Sequence, residues 1–481
     1  MKKIVILLLT VCMIATVLCA TVFAADAPAS GVVLRVSATT KDGSAVVVKD
    51  YTSFEDGWNA AMELAANPKE LNKNGYARVI VDLYSDWNAV KGEFTKDFFN
   101  GKGFNWDAIY FPENVKVTLN LNGHTVNRGL TEYQYNGEVM YIDKDADVII
   151  NDGTITGGWS CNGAGGIHIN DKAYVTLNNV NVVGNRVEDD NGAGIALYDD
   201  ATLIMNGGSL RDNIADMTIV ATIFGRETAY GAGIYAEEST VILENVTIQN
   251  NQFLNLLSKG AVIYAEDSDV TLNNCTVVSN GIVDKNAGWE GSMSIIHNED
   301  SAITIKNTKF SNNGCVVSNS SSPCLIYGQG DLTIESCLFS ENSAYHMIEL
   351  YGHKLTVSDT SFVENYANVF YGYGESDAIG TFDRCTFGNN ASWNGYYSFK
   401  FAFNNSQLIF TDCYFGNSTF NDRSRVKFVD STQALAGSLI GEGSLTMIVS
   451  ITALITSVTA IGITLASNKK KKDAPETDDE E

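Results

Sequence analysis

Three ionisable side chains fall at one place in a repeated string. Asp359, Arg384 and Asp412 each take the fifth position of three successive repeats. A basic side chain set between acids is an arrangement suited to accepting a proton in acid–base chemistry. Opposite charges stacked on neighbouring strands also stabilise each other without any chemistry, and that surface ladder is the expected role. Asp189-Asp190 and Asp199-Asp200 have the form of paired carboxylates, but both fall in turns, where Asp is common. Asp143, Asp145 and Asp147 lack the Gly and distal Glu of a calcium loop. His124, His168, His297, His346 and His353 do not group, and the nine cysteines show no zinc spacing. No catalytic residue, metal or cofactor is therefore assigned.

Binding candidates are aromatic. Tyr371, Tyr373, Trp393, Tyr396 and Tyr397 concentrate in two late loops, with Asp377 and Asn394 beside them, and Trp289 sits in an inserted loop with Glu290. Such rings stack on sugars when exposed. The competing reading is that they fill the interior or cover the end of the fold.

The elements that position these residues repeat. The string VTLNNCTVVSN, Val270 to Asn280, has counterparts beginning at Val117, Val148, Val175, Leu203, Val241, Ile303, Leu332, Leu355, Gly380 and Leu408. Spacings run from 23 to 38 residues, which suggests a solenoid whose coils share strands and differ in loops. Apolar residues alternate, as strands require, and the alternation slips at Asn273-Asn274. Asn tolerates the left-handed backbone of a tight bend there. A third strand precedes each register: GGIHI at 165–169, GAGIAL at 192–197, GAGIYA at 231–236 and GAVIYA at 260–265. The eleventh position is Asn127, Asn185, Asn213, Asn251, Asn280, Asn313, Asn342, Asn365 and Asn390, broken by Gly158 and Ser418. Coils stacked about 4.8 Å apart would let these amides hydrogen-bond as a ladder. Cys275, Cys337, Cys385 and Cys413 share the inward sixth position and read as small packing residues. Cys315 and Cys324 bracket a Ser-rich loop and form the better disulfide candidate.

These repeats resemble the right-handed parallel β-helix proteins of the pectate-lyase-like superfamily. Within it they are similar to the chlamydial polymorphic membrane proteins, whose Phe-x-x-Asn motif recurs at Phe310–Asn313, Phe339–Asn342, Phe362–Asn365 and Phe387–Asn390. The resemblance implies an all-β solenoid over about 115–429 and leaves function open. It also implies where enzymes of this fold keep carboxylates or calcium, and their motifs are not visible in this sequence. The chlamydial proteins end in a membrane barrel; here the C-terminal end differs.

Lys2-Lys3, the apolar run Ile4 to Leu18 and Val22-Phe23-Ala24 read as an export signal over 1–24. Residues 25–110 are expected to cap the rod, with a helix opened by Ser53, carrying Phe54, Trp58, Met62 and Ala65 on one face and closed by Pro68. The β-helix follows over 111–430 and a linker over 431–444. Leu445 to Ala466 is uncharged, long enough at about 1.5 Å per residue to cross a bilayer, and followed by Lys469–Lys472 and a short acidic tail over 467–481. The net charge of −25 disfavours nucleic acid as a partner. The expectation is a membrane-anchored, extracellular β-helix that acts as an adhesin or glycan-binding surface protein without turnover. A polysaccharide lyase or glycoside hydrolase on the same fold, and a structural envelope stalk, are the alternatives.

Overall fold

The computed structural model describes residues 30–89, 108–216, 229–254, 259–282, 294–314, 323–373, 379–391, 397–401 and 407–431. The expected export signal and C-terminal membrane segment lie outside these residues. Among the described residues no helix is long and apolar enough to cross a membrane.

The register read from sequence is the register of the stack. Val117, Val148, Val175, Leu203 and Val241 are successive Cα partners in parallel pairing. The column continues through Val270, Ile303, Leu332, Leu355, Gly380 and Leu408 to Val426. Each coil presents three walls. The first wall is an eleven-stranded parallel sheet running from Ile109–Phe111 to Phe399–Phe401. The second and third walls are the strands before and after the Asn-Asn bend. A strip of five two- or three-residue strands, from Trp159–Ser160 to Gly281–Ile282, follows the third wall in the middle coils and was not expected.

Three left-handed corners turn most of the described coils. Asn274 has φ 53° at the bend, and Asn179, Asn245 and Asn307 match it in their own coils. Asn312 turns the chain just before the eleventh position, and Asp300 just before the second wall. Asn and Asp dominate these corners because a short polar side chain reduces the steric penalty that L-residues meet there.

Eight of the nine recurring asparagines form the ladder. Each backbone N–H and Nδ2 donates to the Oδ1 one coil ahead, from Asn185 to Asn213 (3.0 and 3.2 Å) through to Asn365 to Asn390 (3.1 and 2.9 Å). Nδ2 also reaches a carbonyl one coil back, as Asn280 does to Ile248 (3.0 Å). Asn127 is the exception. The turn Leu121-Asn122-Gly123-His124 holds two more residues than its counterparts, so Asn127 pairs with Thr156, not Gly158, and bonds Asn88 at the surface. A second amide ladder, not anticipated, runs along the outside of the early coils: Asn151 donates to Asn120 (2.7 Å), Asn178 to Asn151 (2.8 Å) and Asn206 to Asn178 (2.9 Å).

The interior stacks by type. Phe310, Phe339, Phe362 and Phe387, the Phe-x-x-Asn phenylalanines, lie face to face with centroids 4.6–5.4 Å apart. Cys275, Cys337, Cys385 and Cys413 are buried in one inward seam, in which Thr308 and Thr360 hydroxyls accept from Cys275 and Cys337 backbone N–H groups at 3.2 Å. Cys324 opens a buried first-wall strand; Cys315 lies outside the described residues, so the pairing expected between them does too.

The N-terminal part departs from expectation in two ways. Strands β1 (Leu34–Thr40), β2 (Ala45–Tyr51) and β3 (Tyr76–Leu83) form a sheet in which β3 pairs in parallel with Lys116–Asn120. Stacking thus begins at β3, upstream of residue 111. Helix α1 (Phe54–Ala65) is capped by Ser53 as expected and buries Phe54, Trp58 and Met62. Pro68, however, does not merely close it. Pro68 opens a second helix, α2 (Pro68–Asn74), where its missing N–H costs nothing. Trp58 meets Phe111 edge-on at 5.0 Å, so α1 covers the rod's first coil. The free edge of this sheet is β2, with Val46, Val47 and Val48 exposed.

Candidate functional site

The charged trio does not form a cleft. Asp359, Arg384 and Asp412 occupy the left-handed bend of consecutive coils, with φ of 51°, 52° and 51°. Arg384 grips Asp359 through two bonds of 2.6 and 2.7 Å and also bonds Asp383. Both partners are about half exposed, and the guanidinium holds the Asp359 carboxyl below its usual range. This is a surface ion pair between Asp359 and Arg384.

Of the six aromatic binding candidates, Trp289, Trp393 and Tyr396 lie outside the described residues. Tyr373 ends the strand Tyr366–Tyr373. Tyr397 is exposed. Tyr371 has its ring stacked on His346 at 4.4 Å with the Lys400 ammonium 5.0 Å from its centroid. Its faces are therefore already engaged.

What the sequence reading missed is a column on the outer face of the first wall. The residue after each inward isoleucine, or after Met140 in its coil, points outward: Tyr110, Tyr141 and His168 in the early coils, then Tyr235, Tyr264, His297 and Tyr327. Ala196 leaves a gap, which Tyr198, two residues on, fills. The rings from Tyr110 to Tyr327 stack with centroids 4.4–5.8 Å apart. Tyr235 and Tyr264 belong to a cluster separate from the main core, which puts them on the opposite side of the sheet from Ile234 and Ile263. The signal was present in the strings Ile-His-Ile, Ile-Tyr-Ala-Glu and Ile-His-Asn-Glu, but comparing histidines only with one another hid their alternation with tyrosine.

Two residues further along each strand stands a polar column. Glu237, Glu266, Glu299 and Gln329 are successive partners on four coils. The tyrosines donate to them: Tyr235 to Glu237 (3.0 Å), Tyr264 to Glu299 (2.6 Å) and Glu266 (3.3 Å), Tyr327 to Gln329 (3.3 Å). Lys259, between the Tyr230 and Tyr264 rings, stands 3.7 Å from Glu299. His297 is buried; Ser294 Oγ holds its Nδ1 at 3.1 Å, and its Nε2 faces Glu299 at 3.6 Å, too long for a hydrogen bond.

This packing splits the titration of adjacent carboxyls. His297, with help from the Tyr264 hydroxyl and Lys259, holds Glu299 down to about 2. Burial pushes Glu266 up, and the negative charges of Glu299 and Glu237 push it further. Burial, aided by the Lys259 charge and opposed by Glu299, drives His297 down to about 4, so the ring is neutral at pH 7. Among the described residues no group of three His, Cys, Asp or Glu side chains is placed to hold a metal ion. The column offers hydrogen-bond acceptors in a row, a neutral imidazole and one ammonium.

Comparison with known proteins supports the architecture alone. Residues 114–299 match the family model described as a right handed beta helix region. No curated protein and no solved structure matches the chain. These comparisons do not support the likeness to the chlamydial proteins. Stacked parallel walls and that match together identify the chain as a right-handed parallel β-helix repeat protein.

Proposed function

We propose that this chain is a cell-surface β-helix protein, held in a membrane by its apolar C-terminal segment, that binds a glycan along the outer face of the first wall without cleaving it. The observation that carries the reading is the repetition of the polar column. Glu237, Glu266 and Glu299, each bonded by a tyrosine hydroxyl, offer successive units of a linear polymer the same groups at each step. The stacked ring faces are engaged with one another, so recognition on this face falls to hydroxyls and carboxylates. The export signal and apolar C-terminal segment support the location. The test is glycan-array binding by the piece 25–432, which lies within one compact unit. Binding that fails on every glycan, or steady release of new sugar ends, would count against it.

One observation favours a second reading, glycoside hydrolysis. The Tyr264 hydroxyl brings two carboxyl groups together, one pushed up and one held down, which is how acid and base roles divide between a pair. Release of reducing ends that disappears in Glu266→Gln would establish it.

A further inference from the structure

The column's charge is not balanced. Three carboxylates, Glu237, Glu266 and Glu299, lie on consecutive coils about 4.8 Å apart. Only one ammonium, that of Lys259, approaches them among the described residues, and it pairs with Glu299. Tyrosine hydroxyls donate to the carboxylates but bring no positive charge. Like charges so close, half sheltered from water, leave a standing demand for a cation. A second observation points the same way. Nε2 of His297, on a ring 1% exposed, has no hydrogen-bond partner and is aimed into the column. A buried polar nitrogen left unpaired in the free protein is completed when a ligand brings the missing group.

Resting on the glycan-binding reading above, we infer that the glycan taken by the first wall carries free primary amines, as a glucosamine polymer does. Its ammonium groups dock on Glu237 and Glu266, and a ring oxygen or hydroxyl meets His297. Such a sugar supplies the cation and the polar oxygen from one unit. The same column repels polyuronates, whose carboxylates would face carboxylates. An extended lysine-rich peptide also carries ammonium groups, but it brings no sugar hydroxyl or ring oxygen to His297.

The experiment measures binding of the full-length chain in detergent to a glucosamine oligosaccharide, its fully N-acetylated counterpart, an oligogalacturonate and a lysine oligomer. The amine form should bind at least about tenfold tighter than the N-acetylated form, and added salt should weaken it. Glu237→Gln with Glu266→Gln should lower amine binding by about tenfold or more and N-acetylated binding far less, so that the preference for the amine form is lost. Lys259→Met removes the competing ammonium and should tighten amine binding several-fold, a gain that misfolding does not imitate. Equal binding of amine and N-acetylated forms, indifference to the double substitution, or tighter binding of the lysine oligomer than of the glucosamine form overturns the inference. The first of these leaves the glycan-binding reading standing, whereas the second also removes the polar column from it. Failure to bind any of the three sugars, alongside a blank array, overturns both.

Discussion

Replacing Asn280 with Ala cuts the ladder at its centre, and the cost can be worked out bond by bond. Asn280 Oδ1 accepts from Asn251 N (2.9 Å) and Nδ2 (3.1 Å). Its Nδ2 donates to Ile248 O (3.0 Å) and to Asn313 Oδ1 (3.0 Å). Alanine removes these four and the Nδ2 contact with Val278 O (3.2 Å). Asn251 Nδ2 keeps its bond to Leu210 O, whereas the buried Asn251 N–H loses this acceptor. At about 1 kcal/mol net per bond, the loss is about 3–5 kcal/mol. Against a typical stability of about 5–15 kcal/mol that is a large fraction. Asn127→Ala is the control, since it breaks only surface bonds to Asn88 and Gly129 and should cost about 1 kcal/mol or less. Urea unfolding followed by circular dichroism compares the two, and hydrogen exchange reads the Asn251 amide directly. If Asn280→Ala is no more destabilised than Asn127→Ala, or the Asn251 amide keeps its protection, the ladder does not hold the coils together and the reasoning fails.

Three further outcomes are expected. Phe339→Ala opens a hole between Phe310 and Phe362 and should cost about 3–5 kcal/mol in the same urea assay. His297 falls from an ordinary 6.5 to about 4, so the stability tied to its neutral form is complete above pH 6.5 and is lost as pH falls from 6.5 to 4. Glu299, held down to about 2, adds a loss of the same sign as pH falls from 4.5 to 2. His297→Phe should therefore flatten the stability–pH slope between pH 6.5 and 4 by up to about 1.4 kcal/mol per pH unit, measured by urea midpoints across that range. Arg384→Ala breaks an exposed pair and should cost no more than about 1 kcal/mol while leaving glycan binding untouched.

Much of the fold was legible because it is written once per coil. The slip at Asn273-Asn274, the inward Val270 and Leu272, and Asn280 recur in register, and each repeat confirms the others. Asn127 misled because a fixed offset from Val117 ignores two extra turn residues. Pro68 misled because proline both ends helices and begins them, and only the Asn67 cap decides which. The outer column escaped for a different reason. Its members are ordinary as types, a tyrosine here and a histidine there, and gain meaning only when the first wall lays residues from separate loops over one another. Asp359 and Arg384 attracted attention by their charge, yet they sit at a corner that turns the chain toward water.

The buried amides all point one way. From Asn185 to Asn365, each donates its backbone N–H and one Nδ2 hydrogen to the oxygen of the coil that follows it in the chain. A coil is therefore finished only by its successor. As the polypeptide emerges amino end first, every newly formed rung waits with open donors for the next one to arrive. Shortening the rod after any internal rung leaves a pair of donors without acceptors at the cut. The molecule has a direction of growth built into its spine.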